Sequence, residues 1–276
     1  MALGHNGNLV NTAQLAARAR ELGVSGGPAT SDSDVVGALL AHGAADSTLE
    51  QAAMELLPTL RGAFCLTFMD EHTLYAARDP HGVRPLSLGR LDRGWVVASE
   101  TAAFDIVGAS FVRDIEPGEL LAIDADGVRS QRFAEATPRG CVFEYVYLAR
   151  PDSVIHGRSV NSARVDIGRR LARENPATGD LVIERDGARE RLALYAQESG
   201  IPFGQGLMKN AYVGRTFIQP SQTIRQLGIR LKLNPLREVI RGKRLVVVDD
   251  SIVRGNTQRA LIRMLREAGA AEIHVR

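Results

Sequence analysis

Residues 244–257, Arg-Leu-Val-Val-Val-Asp-Asp-Ser-Ile-Val-Arg-Gly-Asn-Thr, are the part of this chain from which its architecture is most directly inferred. The four apolar residues from Leu245 to Val248 do not alternate with polar ones, which is typical of a parallel strand covered on both faces. Asp249 and Asp250 follow at the carboxyl end of that strand. Ligands of open α/β sheets bind at this edge. The sequence therefore predicts a buried strand that carries two carboxylates to a ligand-binding edge.

The residues after the two acids have the features of an anion site. Ser251 and Thr257 supply hydroxyls, Gly255 permits a tight turn, and the apolar spacing from residue 260 to 268 predicts a helix that Gly269 ends. Backbone N–H groups and the dipole at a helix amino terminus attract phosphate. Carboxylates repel phosphate, so they suit sugar hydroxyls or Mg²⁺. A sugar phosphate satisfies both halves, whereas the alternative is an ordinary strand–helix junction with a capping acid.

At these residues the chain resembles the type I phosphoribosyltransferases, and Val-Asp-Asp-Ser-Ile-Val-Arg-Gly is similar to the glutamine phosphoribosylpyrophosphate amidotransferases. The resemblance implies an α/β domain with a parallel sheet that binds 5-phosphoribosyl-1-pyrophosphate (PRPP). It implies that Asp249 and Asp250 contact the ribose hydroxyls or Mg²⁺. The residues expected around the 5-phosphate are Ser251, Arg254, Gly255, Asn256 and Thr257. Those expected in a loop that closes over PRPP, or near its pyrophosphate, are Lys209, Tyr212, Arg215 and Lys232.

Composition limits the classes of protein to which this chain can belong. Its 276 residues, 45% of them hydrophobic and 24% charged, are typical of a globular protein with room for two domains. A net charge of +2 gives no whole-chain argument for binding nucleic acid or membranes, and no apolar run is long enough to span a bilayer. Residues 225–244 contain seven basic residues and one acid, which suits either a lid over pyrophosphate or, less well, nucleic acid. We expect a cytoplasmic protein that binds neither nucleic acid nor membranes.

The motif His-Asn-Gly-Asn, residues 5–8, is the first candidate site in the chain. Gly7 lets a backbone N–H approach a ligand, and the Asn6 carboxamide can donate to an oxyanion. An isolated Asn-Gly pair is more often a turn. We predict that a helix follows from Leu9 to Leu22. In the next motif, Ser-Asp-Ser-Asp, Asp34 suits a helix cap, whereas Asp32 can face the amino group of a ligand.

These motifs resemble the glutaminase domain of the same amidotransferases, an α+β N-terminal-nucleophile fold. The resemblance implies that Asn6 and Gly7 form the oxyanion hole and that Asp32 binds the amino group of glutamine. The family uses a cysteine at the mature amino terminus as nucleophile. This chain begins Met-Ala-Leu-Gly, so we expect a glutaminase domain that is incomplete at its start and does not hydrolyse glutamine. Cys65 lies in an apolar run and is predicted to be a buried core thiol.

The resemblance implies a glutaminase-type domain over 1–135, a connection over 136–160 and a phosphoribosyltransferase domain over 161–276 that is incomplete at its end. Cys141 matches an iron–sulfur ligand of some family members, but two cysteines cannot hold a cluster, and a free thiol is expected. Residues 184–191 carry six charges where the family has a pyrophosphate-facing loop. This departure is typical of a solvated surface and puts Mg²⁺ binding there in doubt.

The reaction that the resemblance implies is amidophosphoribosyl transfer in purine synthesis. Ammonia derived from glutamine displaces pyrophosphate from Mg-PRPP, and 5-phosphoribosylamine is formed. Partners are expected to be PRPP, glutamine or ammonia, and further copies of the full-length protein in a homo-oligomer. Two alternatives remain: a regulatory module that binds PRPP without chemistry, and a fragment without function.

Overall fold

A computed structural model describes residues 1–24, 31–184, 189–210, 233–249 and 255–276. The chain divides into two compact units, Met1–Val160 and Asn161–Arg276. In the described parts of both units, no helix has the length and apolar character needed to cross a membrane. Within the same ranges, no three His, Cys, Asp or Glu side chains cluster as a metal site would require.

The first unit contains a five-stranded antiparallel sheet in the order β1-β2-β3-β7-β8 and a three-stranded one in the order β5-β4-β6. The strands are β1 Ala2–Leu9, β2 Gly62–Met69, β3 Leu74–Arg78, β4 Ser87–Leu91, β5 Gly94–Ala98, β6 Ser110–Asp114, β7 Glu119–Asp124 and β8 Gly127–Arg132. A short hairpin follows, formed by β9 Val154–Ile155 and β10 Arg158–Ser159. The helices are α1 Thr12–Glu21, α2 Asp32–Gly43, α3 Leu49–Leu56 and α4 Ala102–Val107.

The alternation of β2 explains how the first unit forms layers. Phe64, Leu66 and Phe68 point to one face of the five-stranded sheet and pack in a cluster with α1, α2 and α3. Cys65 points to the other face, where it packs with Leu88 of the three-stranded sheet. Successive side chains of a strand project to opposite faces, so one strand contributes to both cores. The unit is therefore layered as helices, five-stranded sheet and three-stranded sheet.

The start of the chain differs from the prediction. Residues 5–8 belong to β1, which pairs with β2 from Ala2 opposite Met69 to Leu9 opposite Gly62. The predicted helix from Leu9 was therefore too long, since it begins at Thr12, and Leu22 at its end is 43% exposed rather than part of the buried face. Long-range strand pairing overrides the local turn preference of Asn-Gly. The motif is consequently presented on a strand at one side of the sheet.

The second unit has a three-stranded parallel sheet in the order β11-β14-β15. The strands of the unit are β11 Leu181–Glu184, β12 Leu207–Lys209, β13 Leu233–Pro235, β14 Arg244–Val248 and β15 Glu272–Val275. Its helices are α5 Val160–Glu174, α6 Arg189–Ser199, α7 Arg237–Ile240 and α8 Asn256–Glu267, of which α5 starts at the last residue of the first unit. β12 and β13 form a separate antiparallel pair.

The prediction for residues 245–248 is confirmed. Leu245 and Val247 pack in one apolar cluster with α8, and Val246 and Val248 pack in a second cluster on the opposite face. All four side chains are at most 5% exposed. Burial on both faces removes the need for polar alternation, and this is why the run is continuously apolar.

The aromatic and β-branched residues before β9 do not form a strand. Residues Glu144–Leu148 form a turn of π-helix instead. The Glu144 side chain is buried, and the Tyr145 hydroxyl donates to the Ile155 carbonyl oxygen at 2.8 Å. Aromatic and β-branched residues favour strands, but these tertiary contacts are satisfied only when the chain turns here.

Candidate functional site

Asn6 lies at the centre of a hydrogen-bonded group in the first unit. Its carboxamide nitrogen donates to the Ser99 hydroxyl at 2.9 Å, and its carboxamide oxygen accepts from the Arg84 Nε at 3.0 Å. Arg84 also pairs, through Nη1, with Glu144, whose side chain is only 4% exposed. Residues from three distant parts of the sequence therefore hold this one carboxamide.

The contact with Arg84 determines the orientation of the Asn6 carboxamide, with its oxygen toward Arg84 and its nitrogen toward Ser99. A guanidinium has donors and no acceptor, so the atom that it contacts must be the carboxamide oxygen. The nitrogen then points the other way with two N–H donors. Ser99 takes one of them, and among the residues that the structure describes no second acceptor is bonded to this nitrogen. The geometry suits Asn6 to donate a hydrogen bond to developing negative charge.

The loop that carries Arg84 is held rigidly by the buried side chains of Arg78 and Asp79. The Arg78 guanidinium donates to the carbonyl oxygens of Arg84, Gly82 and Ile115 at 2.8–3.0 Å. The Asp79 carboxylate accepts from the backbone N–H groups of His81, Phe64 and Val83 at 2.9–3.3 Å. Burial raises the pKa of Asp79 even though these N–H groups oppose the change.

Gly7 is required by the pairing of β1 with β2. A Cβ at this position would lie 2.1 Å from the Ala63 carbonyl oxygen and 2.8 Å from the Phe64 Cα. Backbone atoms cannot move aside as a flexible side chain can. Glycine thus permits the close approach of the β1 and β2 backbones, and the approach of a ligand to the Gly7 N–H stays a prediction.

Asp32 lies in the first turn of α2, which is capped by Ser31 and Asp34 in a reciprocal capping box. Its carboxylate accepts from the Leu9 N–H at 3.0 Å, and its Oδ1 lies 3.5 Å from the His5 Nδ1. Burial by itself would raise the pKa of Asp32, but the Leu9 N–H, the His5 ring and Ser33 together lower it below its usual range. The carboxylate is therefore kept ionised beside the strand that carries Asn6 and Gly7.

Cys65 lies directly opposite Asn6 in the register of β1 and β2. It is 3% exposed, and its thiol contacts the carbonyl oxygens of Arg84 and Pro85. Burial raises the pKa of this thiol to about 12 despite the nearby Arg78 guanidinium. The prediction of a core thiol is confirmed, and a thiol with this pKa is not a nucleophile at neutral pH.

The sequence motifs do not identify the side chains that hold Asn6, which are Arg84, Ser99 and, through Arg84, Glu144. Their separations from Asn6 in the sequence, 93 residues for Ser99 and 78 for Arg84, leave no local pattern to detect. The one available signal was a charged residue, Glu144, within an aromatic run.

In the second unit, Asp249 directly follows β14, at the carboxyl edge of the parallel sheet. Its carboxylate accepts a hydrogen bond from the Gln258 side chain, which is 6% exposed and lies in the first turn of α8. Gly255 precedes α8 with a left-handed backbone, φ +68°, as the predicted turn requires. Asn256 and Thr257 begin the helix. Asp249 and the start of α8 are therefore close together, as a strand–turn–helix phosphate site requires.

The remaining predicted PRPP residues divide into two groups. Lys209 is an exposed residue at the end of β12, opposite Leu233 in β13. The others lie outside the described residues, as do residues 185–188 of the charged segment; they are Asp250, Ser251, Arg254, Tyr212, Arg215 and Lys232. Cys141 is a partly exposed free cysteine.

Comparisons with known proteins find a family model for the first part of the chain and relatives along all of it. The family model described as a glutamine amidotransferase domain matches residues 1–105, which include Asn6, Gly7 and Asp32. The chain is 81% identical over 281 aligned residues to the amidophosphoribosyltransferase of Mycobacterium tuberculosis strain H37Rv, an alignment that covers all of this chain and 53% of that protein. It is 47% identical to the Bacillus subtilis amidophosphoribosyltransferase, of which it covers 58%. Along its whole length this chain is therefore similar to amidophosphoribosyltransferases.

Two solved structures are similar to this chain over nearly its whole length. Glutamine PRPP amidotransferase from B. subtilis, solved in complex with ADP and GMP, is 46% identical with a TM-score of 0.87 over 99% of this chain and 60% of that one. The allosteric regulatory enzyme of purine biosynthesis is 46% identical with a TM-score of 0.89, and all of this chain aligns with 59% of it. The chain spans about half the length of the curated amidophosphoribosyltransferases that it matches.

Proposed function

We propose that the protein containing this chain is an amidophosphoribosyltransferase of purine biosynthesis. In the first half-reaction, water hydrolyses glutamine to glutamate and ammonia. In the second, the ammonia nitrogen forms a bond to C1 of the PRPP ribose while the bond from C1 to the pyrophosphate oxygen breaks. Pyrophosphate leaves with that electron pair, the nitrogen loses a proton, and 5-phosphoribosylamine is formed.

The observation that carries the proposal is the fixed Asn6 carboxamide in the first unit. Hydrolysis of an amide passes through a tetrahedral intermediate with a negatively charged oxygen, and fixed N–H donors stabilise that charge. Asn6 supplies such a donor, Gly7 beside it allows the backbone to come close, and ionised Asp32 is suited to the amino group of glutamine. The assignment of this unit to an N-terminal-nucleophile fold is part of the proposal.

For the second unit we propose a type I phosphoribosyltransferase domain with the PRPP site at the carboxyl edge of the parallel sheet. Asp249 there faces the start of α8, whose N–H groups suit the 5-phosphate. Carboxylate oxygens such as those of Asp249 suit Mg²⁺, which proteins commonly bind through one or two carboxylates together with substrate phosphates. When bound, Mg²⁺ would neutralise charge on the departing pyrophosphate.

The proposal is tested by pyrophosphate release from PRPP with ammonium chloride as nitrogen donor and Mg²⁺ present. We expect release by the 276-residue chain, and we expect Asp249→Asn to lower kcat/KM for PRPP at least about tenfold, since a charged contact to substrate or metal is worth roughly 1.5–3 kcal/mol. Asp180→Asn is the matched control, because Asp180 lies just before β11, at the opposite end of the same sheet.

The alternatives give different results in the same experiment. Binding of Mg-PRPP measured by calorimetry, without pyrophosphate release, would identify a regulatory module instead. If the chain neither binds Mg-PRPP nor releases pyrophosphate, it is a fragment without function. Equal kcat/KM for PRPP in the Asp249→Asn and Asp180→Asn variants would contradict the assignment of Asp249 to the PRPP site.

A further inference from the structure

The connecting segment, residues 136–160, contacts Arg84, which holds Asn6, and also contacts the two residues that follow Ser99. On one side Glu144 pairs with Arg84, whose Nε donates to the Asn6 carboxamide oxygen. On the other side the Arg150 N–H and the Ser153 hydroxyl donate to Glu100 at 2.8 and 2.7 Å.

The second of these contacts extends along the loop next to Asn6. The Val154 N–H donates to the Thr101 hydroxyl at 2.8 Å, and Ser99, which accepts from Asn6, adjoins Glu100 in the same loop. The connecting segment therefore contacts Arg84 directly and reaches Ser99 only through the adjoining residues Glu100 and Thr101.

Glu144 is buried and Arg84 is half-buried, which restricts the geometry of the pair. Their side chains are 4% and 24% exposed. A buried carboxylate without a partner is strongly disfavoured, so Glu144 restrains the position of the Arg84 guanidinium. Burial raises the pKa of Glu144, and Arg84 acts against that rise. The Arg84 backbone is held independently by Arg78. Both ends of Arg84 are thus restrained.

We infer that Arg84, held by Glu144, is a positioning residue for glutamine hydrolysis that keeps the Asn6 carboxamide nitrogen turned toward the oxyanion. Without the Arg84 Nε–H, nothing of comparable strength among the described residues distinguishes the two ends of the carboxamide. A carboxamide that flips presents an oxygen to the developing negative charge and repels it. The inference rests on the proposed function and deepens it by including the connecting segment in the glutamine site.

The decisive variant is Arg84→Lys in the gene product that contains this chain. Lysine keeps a positive charge for Glu144 but lacks the Nε–H that lies on Asn6, so it separates the two contacts. Loss of one oxyanion donor costs about 10²–10³ in kcat, and we expect imperfect orientation to lower kcat for glutamine hydrolysis by about 10–100-fold. We expect KM for glutamine to stay within about threefold, because the lost interaction is made in the transition state.

Arg113→Lys is the matched control. Arg113 and Glu119 form a pair in the same unit, with the side chains 38% and 5% exposed and contacts of 2.7–2.8 Å, but neither contacts Asn6. A purely structural effect would appear equally in both variants. We expect glutamine turnover of Arg113→Lys within about twofold of wild type, and ammonia-dependent pyrophosphate release unchanged in both.

A second variant covers the case in which Arg84→Lys does not fold. Glu144→Gln keeps a hydrogen-bond acceptor without the charge, so a smaller fall in kcat with KM unchanged supports the inference. Unchanged kcat in a folded Arg84→Lys, or a fall in Arg113→Lys of the same size, overturns it. Failure of the proposed function looks different, since wild-type protein would then hydrolyse no glutamine and both conclusions would be lost together.

Discussion

At Asn6, the available chemistry depends on the orientation of a single carboxamide. The oxygen and the nitrogen of this group are nearly equal in size, so packing alone cannot orient it. The Arg84 Nε–H contacts one end and the Ser99 hydroxyl the other. The motif at residues 5–8 is sufficient to predict a role for Asn6, but the groups that orient its carboxamide are far away in the sequence and come next to it only in the folded unit.

The two cysteines allow a direct test of the site at residue scale. Cys65 is 3% exposed with a pKa of about 12, whereas Cys141 is partly exposed. We expect a thiol reagent such as Ellman's reagent at pH 8 to modify about one thiol per native chain, and both thiols after unfolding in guanidinium chloride, because the thiolate is the reactive form. Cys141→Ser should leave no fast-reacting thiol. Two fast thiols in the native wild-type chain would contradict the buried position of Cys65.

At the scale of elements, the pairing of β1 with β2 is what presents the Asn6–Gly7 motif. The register brings Leu9 opposite Gly62 at the end of the pair. A Cβ at Gly62 would lie 2.5 Å from the Asn8 carbonyl oxygen. Glycine is therefore needed on both strands of the pair, at Gly7 on β1 and at Gly62 on β2.

Gly62 and Gly94 form a matched pair for a stability measurement. Both have φ +124°, but no heavy atom lies within 4 Å of a Cβ built at Gly94. Alanine carries the same backbone strain at either position, and only Gly62→Ala adds a clash with β1. We expect Gly62→Ala to lower the free energy of unfolding by about 1–3 kcal/mol more than Gly94→Ala, measured by urea denaturation. Equal losses would mean that β1 does not approach β2 as closely as described.

The parallel pairing of β11 with β14 has its own electrostatic contact at the amino ends of the strands. The Arg244 guanidinium and backbone N–H donate to Asp180 at 2.7 and 2.8 Å. These hydrogen bonds lower the pKa of Asp180 from 3.8 to about 2. Because the folded-state pKa is the lower one, the carboxylate stabilises the fold above about pH 4, and this stabilisation is lost as the pH falls toward 2.

The difference in free energy of unfolding between the wild type and the Asp180→Asn variant should therefore become smaller as the pH falls. We expect the wild type to be more stable than the variant above about pH 4, and the two to converge near pH 2, measured by urea unfolding at each pH. Glu174→Gln is the control, because the Arg170–Glu174 pair on α5 has side chains that are 79% and 58% exposed. A constant difference across this pH range would rule out the contribution of Asp180.

For the whole molecule, the main feature is that each unit has its own apolar core. The clusters on the two faces of the five-stranded sheet lie within residues 1–160, and those on the two faces of the parallel sheet lie within residues 161–276. The two proposed half-reactions divide in the same way, with the amide chemistry in the first unit and the PRPP chemistry in the second. The connecting segment, including Glu144, belongs to the first unit and contacts the groups around Asn6.

Local patterns were sufficient to predict much of the second unit. Four consecutive apolar residues predicted β14 as a parallel strand covered on both faces, and the spacing from Ala260 to Gly269 predicted α8. Burial and helical periodicity act over a few residues, so they leave a direct trace in the amino-acid order. The family motifs were readable for the same reason, because each occupies a short continuous segment.

The remaining features of the fold and of the candidate site depend on contacts between segments that are distant in the sequence. Placement of the His-Asn-Gly-Asn motif on β1 depends on its pairing with β2, more than fifty residues later. The contacts of Arg84 and Ser99 with Asn6, and the π-helical turn at Glu144, also join distant segments. Such contacts are selected by the free energy of the whole packed unit rather than by local preference, and this is why the orientation of Asn6 could be seen only after the chain had folded.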